Sequence, residues 1–275
     1  GGLSGGWSGR AWVHGVYAVL YKPDLRLIVL FCTGGEIATR LDGLSLRWYA
    51  ALARDTELHA AVLLSLRVGA LAATAAVVVG TAAAVILVRA GDYPGSRFFL
   101  GMMSAPMVMP EVVVGLSLVL LFTHPALAIL GGRGVAAIWV AHTTLCTAYV
   151  AVLVASRLRE MDRELEEAAL DLGCPPLKVF FVITVPVIAL ALAVGWLLAF
   201  TLFMDDFVLA AMLSDPGSTT LPVLVFARLH HGLKPEINAL ATVIVVVVSI
   251  AVLLANRLLL GPPRAAAQPS AARGG

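Results

Sequence analysis

Long runs of apolar residues are the feature that most limits how this chain can fold. An α-helix rises about 1.5 Å per residue, so about 20 apolar residues cross the hydrocarbon core of a bilayer. Residues 60–88, 98–122, 134–156, 187–213 and 237–260 each form such a run. Hydrophobic residues make up 60% of the sequence and charged residues only 13%, which is unlike a soluble domain. The sequence therefore predicts an all-α integral membrane protein.

The N-terminal segment is a weaker candidate for a further span. Residues 12–33 are largely apolar, but Lys22, Asp24 and Arg26 lie near their middle. Each charge at the centre of a membrane helix costs about 2.5–3.5 kcal/mol on insertion scales. Asp24 is two positions from both Lys22 and Arg26, so it lies on a different helix face from them and cannot pair well with either. We expect this segment to insert only with help from neighbouring helices.

A charged segment between two of the apolar runs predicts a helical elbow (residues 159–186). Residues 159–171 are predicted to form one short helix, with carboxylates and leucines on different faces. Gly173 is expected to end this helix in the left-handed conformation, and Pro175 and Pro176 lack the N–H groups that would continue it. A helix is expected to resume over residues 178–183, with Pro186 just before the next apolar run. The elbow should project from the membrane surface.

Six positions of the elbow resemble a motif of a known transporter family. They are similar to the EAA loop of ABC-importer permeases, except that this chain has a valine at a position where leucine is usual. The six positions are Glu167, Ala168, Ala169, Gly173, Ile183 and Pro186. The resemblance implies a type I importer permease with about six spanning helices, the first of them in the N-terminal segment. It also implies that the loop faces the cytoplasm and docks in a cleft of the ATP-hydrolysing subunit. The alternative is an ordinary amphipathic connecting helix.

Other segments resemble the polyamine branch of this family. The similarity to putrescine and spermidine permeases covers about residues 44–254 and is carried by residues 46–49, 105–111, 195–202, 205–206 and 235–242. It is strongest for the second permease of bacterial putrescine importers. It implies a multi-pass inner-membrane protein that works with a second permease, two ATPase subunits and a periplasmic polyamine-binding protein. ATP and Mg²⁺ would be used by the ATPase, and this chain would bind no cofactor.

Three acids in the apolar runs are the candidate contacts for a transported solute. Burying a carboxylate in a membrane is costly, so such residues often mark a transport route, and here they are Glu111, Asp205 and Asp206. Neighbouring helical residues point about 100° apart, so we expect one of the paired aspartates to face a path while the other caps or pairs. Phe203 or Phe207 could add cation–π contact to a polyamine. Alternatively, the acids lie near the outer interface and only orient helix ends.

Two further features of the apolar runs concern helix packing. The first run carries a face of small residues, Gly69, Ala73, Ala76 and Gly80, which predicts close approach of a neighbouring helix. His142 lies in the third run. Polar side chains in membrane helices more often bond a neighbouring helix or a carbonyl than line a path, and we expect the same of this histidine.

The sequence also limits the class of function. It has no phosphate-binding loop and no metalloprotease motif, and its three cysteines lack metal-ligand spacing. We therefore expect a transport subunit and not an enzyme, with no metal site and no nucleic-acid partner. A permease for ferric ion, sulfate or phosphonate is one alternative, and a non-transporting membrane scaffold is another.

Basic residues and composition give the expected orientation and domain limits. Basic residues near the ends of the runs, including Arg89, Arg159 and Lys178, favour a cytoplasmic elbow with both termini on the same side. The domains expected are an N-terminal segment at residues 1–43, a membrane domain at 44–260 and a tail at 261–275. The tail is rich in alanine, proline and glycine and is expected to be disordered.

Overall fold

The computed structural model describes residues 47–91, 93–125, 132–230, 239–243 and 246. Its helices are α1 Arg47–Arg54, α2 Thr56–Arg89, α3 Ser96–Val108, α4 Glu111–Thr123, α5 Val135–Glu160, α6 Glu164–Asp171, α7 Pro176–Val179, α8 Val185–Asp205, α9 Val208–Leu213 and α10 Leu221–His230. Contacts divide the chain into two units, residues 56–227 and, separately, residues 1–55 with 228–275. The weak first span, most of the run 237–260 and the tail lie outside the described residues.

Three described helical stretches are long and apolar enough to cross a membrane, namely α2, α5 and Pro176–Asp205. Helices α3 and α4 form a fourth only if they count as one span, because the chain bends by 108° between them. The predicted runs 60–88 and 134–156 are confirmed as single helices, α2 and α5. Since the described part of the chain contains no strand, the predicted all-α membrane fold is confirmed as well.

The predicted span over residues 98–122 is not one continuous helix, because the helix breaks at Met109 and Pro110. Proline disfavours the helical conformation in the residue before it, and Met109 is extended, with φ −75° and ψ 139°. Pro110 has ψ 134° and no N–H to donate. Helix α3 therefore ends at Val108, and α4 begins at Glu111.

The run predicted at 187–213 also differs from the structure at both ends. Helix α8 ends at Asp205, and Asp206 is extended with ψ 113° before the short helix α9. At its start, α8 is continuous with α7 through a π-helical turn at Phe180–Thr184, so Pro186 lies inside the helix and not before it. Pro186 has no N–H to donate to the preceding turn. In that turn the Val185 N–H donates to the Phe180 carbonyl, five residues back, which is the π-helical pattern.

Small residues allow α2, α5 and α8 to pack closely. At Gly80 an added Cβ would lie 2.9 Å from Cγ1 of Val150 on α5, and at Gly69 it would lie 2.7 Å from the ring of Phe203 on α8. Real side chains do not approach this closely, so each position requires glycine. The predicted packing face is confirmed, because all four of its residues are buried: Gly69, Ala73, Ala76 and Gly80.

The elbow begins with a break that the sequence did not predict. Helix α5 continues to Glu160, and Met161 is extended with ψ 133°. The backbone N–H of Glu164, the first residue of α6, donates to Asp162 Oδ1 at 3.0 Å. The single helix predicted over residues 159–171 is therefore wrong, because the aspartate accepts the first N–H of a new helix.

The second turn of the elbow is the one expected at Gly173. Gly173 has φ +81°, and its N–H donates to the Leu170 carbonyl at 2.9 Å. The Cys174 N–H donates to the Ala169 carbonyl at 3.1 Å, which completes a Schellman motif. Pro175 is extended and Pro176 occupies the first turn of α7, so the helix resumes two residues earlier than predicted.

The other contact unit is described only in part. Its α1 buries Leu52, and Ala239 and Leu240 are buried as well. An ion pair joins Arg228 Nη1 to Asp55 Oδ2 at 2.6 Å, with both side chains about four-fifths buried. This pair ties the end of α10 to the residue that follows α1 within that unit.

Candidate functional site

The elbow presents apolar side chains to its surroundings. The side chains that are large, apolar and exposed there include Leu165, Leu170, Leu172, Leu177 and Phe181. Leu172, beside the Gly173 turn, is 90% exposed. Of the six motif positions, Glu167, Ala168, Gly173 and Pro186 are exposed, while Ala169 and Ile183 are half-buried. An exposed cluster of this kind is typical of a surface that another protein covers.

A buried carboxylate holds the elbow to the end of α2. Glu166 Oε2 lies 2.9 Å from Arg89 Nη2, and Glu166 Oε1 accepts a hydrogen bond from the Thr184 hydroxyl at 2.6 Å. We call these three residues the brace. Arg163 adds a second link to α2, because its guanidinium donates to the Val88 carbonyl at 2.7 Å. The elbow is therefore fixed to α2 by two neighbouring contacts.

A pocket of about 310 Å³ adjoins the brace. It is lined by apolar side chains of α2 and the elbow together with the brace residues: Val85, Arg89, Glu166, Leu170, Pro176, Val179, Phe180 and Thr184. The sequence motif indicates Glu167 and not its neighbour Glu166. Only the exposed Glu167 belongs to the motif, and nothing local in the sequence indicates that Glu166 meets Arg89.

The three candidate acids have different surroundings. Glu111 is exposed at the first position of α4, directly after the break. Asp205 is exposed at the last position of α8, whereas Asp206 is buried outside the helix, with 8% of its surface exposed. The expectation that the two aspartates share one helix is wrong, because the chain is extended at Asp206. Within the described part of the chain, Glu111 and Asp205 make no ion pair.

Asp206 is held by contacts from two elements. Its Oδ1 accepts the backbone N–H of Leu209 at 3.1 Å, at the start of α9. Its Oδ2 lies 3.0 Å from Nε2 of His142 on α5, and His142 Nδ1 lies 2.7 Å from the Ile138 carbonyl oxygen. His142 therefore bonds a neighbouring element and a carbonyl, which is the behaviour expected of it. Asp206 is the paired and capping member of the two aspartates.

The two candidate aromatic residues also differ. Phe203 is 1% exposed, and its ring lies 4.5 Å from the His142 ring, centroid to centroid. The structure does not bring Phe203 to an open surface. Phe207 is half-buried, and its ring stacks on Phe226 with centroids 4.1 Å apart.

Helix packing brings the two breaks into one region. A Cβ at Gly115 on α4 would lie 2.7 Å from Sδ of Met212 and 3.3 Å from Cδ2 of Leu209, both on α9. Glu111 lies about one helical turn before Gly115, and α9 begins shortly after Asp205. Glu111 begins α4 and Asp205 ends α8, and the short helix α9 that follows Asp205 packs on α4. Among the described residues, no group of three or more histidines, cysteines or acids could hold a metal ion.

Comparison with known sequences points to one family. Residues 76–260 match the model of the family described as binding-protein-dependent transport system inner membrane component. The chain is 54% identical over 236 residues to a putrescine transport system permease protein of Escherichia coli K12, covering 85% of this chain and 84% of that protein. It is 33% identical to a spermidine/putrescine transport system permease protein of the same strain, covering 89% of this chain and 90% of that protein.

Solved structures share the fold. A chain from a bacterial ABC transporter involved in alginate import superposes with a TM-score of 0.72 at 14% sequence identity. The match covers 92% of this chain and 96% of that one. A chain from an amino acid ABC transporter matches with a TM-score of 0.51 at 20% sequence identity, and the match covers 78% of this chain and 97% of that one. At these identities the likeness concerns the fold alone.

Proposed function

Because the chain belongs to the family of inner membrane components of binding-protein-dependent transport systems, we propose that it is a permease subunit of an ATP-driven polyamine importer. Putrescine is the proposed main substrate. The observation that carries this proposal is the 54% identity, over 85% of the chain, to a putrescine permease. The relative at 33% identity is named for spermidine as well, which supports the same class of substrate.

The acids beside the helix breaks are the proposed contacts for the polyamine. A polyamine carries two or more positive charges, so a route for it favours carboxylates, whereas an anion would favour arginine or helix N-termini. Glu111 and Asp205 are exposed acids; Glu111 begins α4, and α9, which follows Asp205, packs on α4. Phe207 lies two residues after Asp205 and offers part of an aromatic face. This acidic region supports a cationic solute over sulfate or phosphonate.

The elbow is the proposed coupling element to a partner ATPase. The stretch Pro176–Asp205 is helical over 30 residues, which corresponds to a length of about 45 Å. Its first turns belong to the elbow, and its last residue is Asp205. A displacement of the elbow by the ATPase would therefore act on the same helical stretch that carries a substrate-contacting acid.

The proposed assembly follows from this division of roles. The chain would pair with a second permease and receive polyamine from a periplasmic binding protein. Two ATPase subunits would hydrolyse ATP with Mg²⁺, since no nucleotide-binding motif lies in this chain. The elbow and both termini are proposed to face the cytoplasm, and the brace then places the end of α2 on that side as well.

Uptake into proteoliposomes tests the proposal. The chain is reconstituted with its partner permease, ATPase and binding protein, and ATP-dependent uptake of labelled putrescine is compared with that of sulfate. We expect uptake of putrescine alone. Assembly with uptake of sulfate, or of no solute, would instead favour another substrate or a scaffold.

A charge reversal on the elbow tests the coupling role. Glu167→Lys changes an exposed acid within the motif, and Glu160→Lys makes the same change at an exposed acid on the end of α5. We expect the first variant to lose most uptake while the complex still assembles, and the second to retain it. Equal uptake in the two variants would contradict the assignment of the elbow.

A further inference from the structure

A buried histidine–carboxylate contact joins α5 to the break between α8 and α9. His142 is fully buried, and its Nε2 lies 3.0 Å from Asp206 Oδ2. The ring of Phe203 covers the imidazole at a centroid distance of 4.5 Å. The contact is therefore part of the packed interior and not of an open path.

The geometry fixes how many protons this contact holds. The Ile138 carbonyl can only accept, so His142 Nδ1, at 2.7 Å, carries a proton. Neither Nε2 nor Oδ2 has a hydrogen bond to any other group in the described part of the chain. Two unprotonated acceptors 3.0 Å apart would repel, so one further proton lies on either Nε2 or Oδ2. The two atoms are at ion-pair distance but depart from straight hydrogen-bond geometry, which charge attraction tolerates.

That proton leaves the pair with no net charge. A proton on the imidazole gives an ion pair of zero net charge, and a proton on the carboxyl group gives two neutral side chains. The other carboxyl oxygen accepts the Leu209 N–H, so both oxygens of Asp206 are engaged within the protein. Asp205 is exposed by comparison, and no hydrogen bond or ion pair engages its carboxylate in the described residues.

We infer that His142 is a positioning residue that keeps Asp206 in a pair without net charge and, through this contact, holds the break between α8 and α9. Asp205 and Glu111, and not Asp206, then face the transported cation. This inference rests on the proposed import of polyamines. It assigns different roles to two adjacent aspartates and gives the buried histidine a part in setting the charge of the route.

Substitution by asparagine separates the two roles. In Asp206→Asn the amide N–H₂ can donate to His142 Nε2, and the amide oxygen can accept the Leu209 N–H, so both contacts survive without a carboxylate. In the reconstituted complex we expect KM for putrescine to stay within about twofold of the wild type. Asp205→Asn removes an exposed carboxylate and should raise KM about tenfold or more.

Truncation to alanine tests the positioning role. His142→Ala and Asp206→Ala each leave one buried polar partner alone, so we expect both to lower the maximal uptake rate and the melting temperature of the purified complex. Because either substitution breaks the contact, and Asp206→Ala also removes the acceptor of the Leu209 N–H, the double variant should be little worse than Asp206→Ala. Asp206→Asn should melt close to the wild type.

The outcomes distinguish this inference from the proposed function. A KM in Asp206→Asn as high as in Asp205→Asn would overturn the inference, and so would additive losses in the double alanine variant. Absence of polyamine uptake by the wild type would refute the proposed function. In that case the melting temperatures would still test the pairing of His142 with Asp206. A melting temperature of Asp206→Asn as low as that of Asp206→Ala would refute this pairing.

Discussion

Replacing Glu166 by glutamine removes the charge that holds the elbow to α2 while keeping the size of the side chain. The Thr184 hydroxyl can still donate to the amide oxygen, so the change falls mainly on the contact with Arg89. If the elbow transmits force through the brace, the variant should hydrolyse ATP without moving a proportionate amount of solute.

The magnitude follows from burial of the pair. The side chains of Arg89 and Glu166 are 20% and 16% exposed, and the two groups lie at ion-pair distance without hydrogen-bond geometry. A buried polar group left without its partner costs about 1–3 kcal/mol, which would lower the population of the braced elbow about 5- to 150-fold. The Arg157–Glu160 pair has a similar distance but side chains that are 49% and 62% exposed. Glu160→Gln should therefore cost less than about 1 kcal/mol.

The assay is the ratio of putrescine imported to ATP hydrolysed in proteoliposomes that contain the whole complex. We expect Glu166→Gln to lower this ratio strongly and Glu160→Gln to leave it unchanged. Arg89→Met should have the same effect as Glu166→Gln, and the double variant should add little to either. An unchanged ratio in Glu166→Gln, with normal assembly, would refute the reasoning.

Three further predictions concern the elbow and the packing of α2. Gly173→Ala puts a side chain at φ +81°, which costs about 1–2 kcal/mol, and should lower the same transport ratio. Leu172→Asp changes a side chain that is 90% exposed and should reduce the amount of ATPase that co-purifies, whereas the adjacent Asp171→Asn should not. Gly80→Ala would crowd Val150 and cost about 1–3 kcal/mol, giving a lower melting temperature, while Gly101→Ala meets no neighbouring atom within 4 Å and should be tolerated.

Local signals in the sequence predicted much of the fold. The apolar runs predicted α2 and α5, and Gly173 with its following prolines predicted the turn of the elbow. Pro110, which has no N–H to donate, accounts for the break between α3 and α4, but the size of the bend depends on which helices the two halves pack against. The end of α8 was missed because the residues on both sides of Asp205 and Asp206 are apolar, and apolar periodicity shows no interruption there.

The contacts that define the candidate site could not be predicted in the same way. Glu166 meets Arg89, and Asp206 meets His142, across long separations in sequence. Each meeting depends on the close approach of helices that glycine and alanine permit. A carboxylate in an apolar run is visible in the sequence, but its partner is decided by packing. For this reason the sequence does not show which of Asp205 and Asp206 faces a path and which one pairs.

The bend between α3 and α4 has a consequence for hydration. Pro106 and Pro110 have no N–H, so the carbonyls of Met102 and Pro106 receive no helical hydrogen bond from them. Lipid tails offer no donor, and a backbone carbonyl left without one in hydrocarbon costs several kcal/mol. The bend is therefore expected to face water or protein, and not lipid tails alone. Glu111, directly beyond it, would then stand beside a part of the chain that dry lipid does not surround.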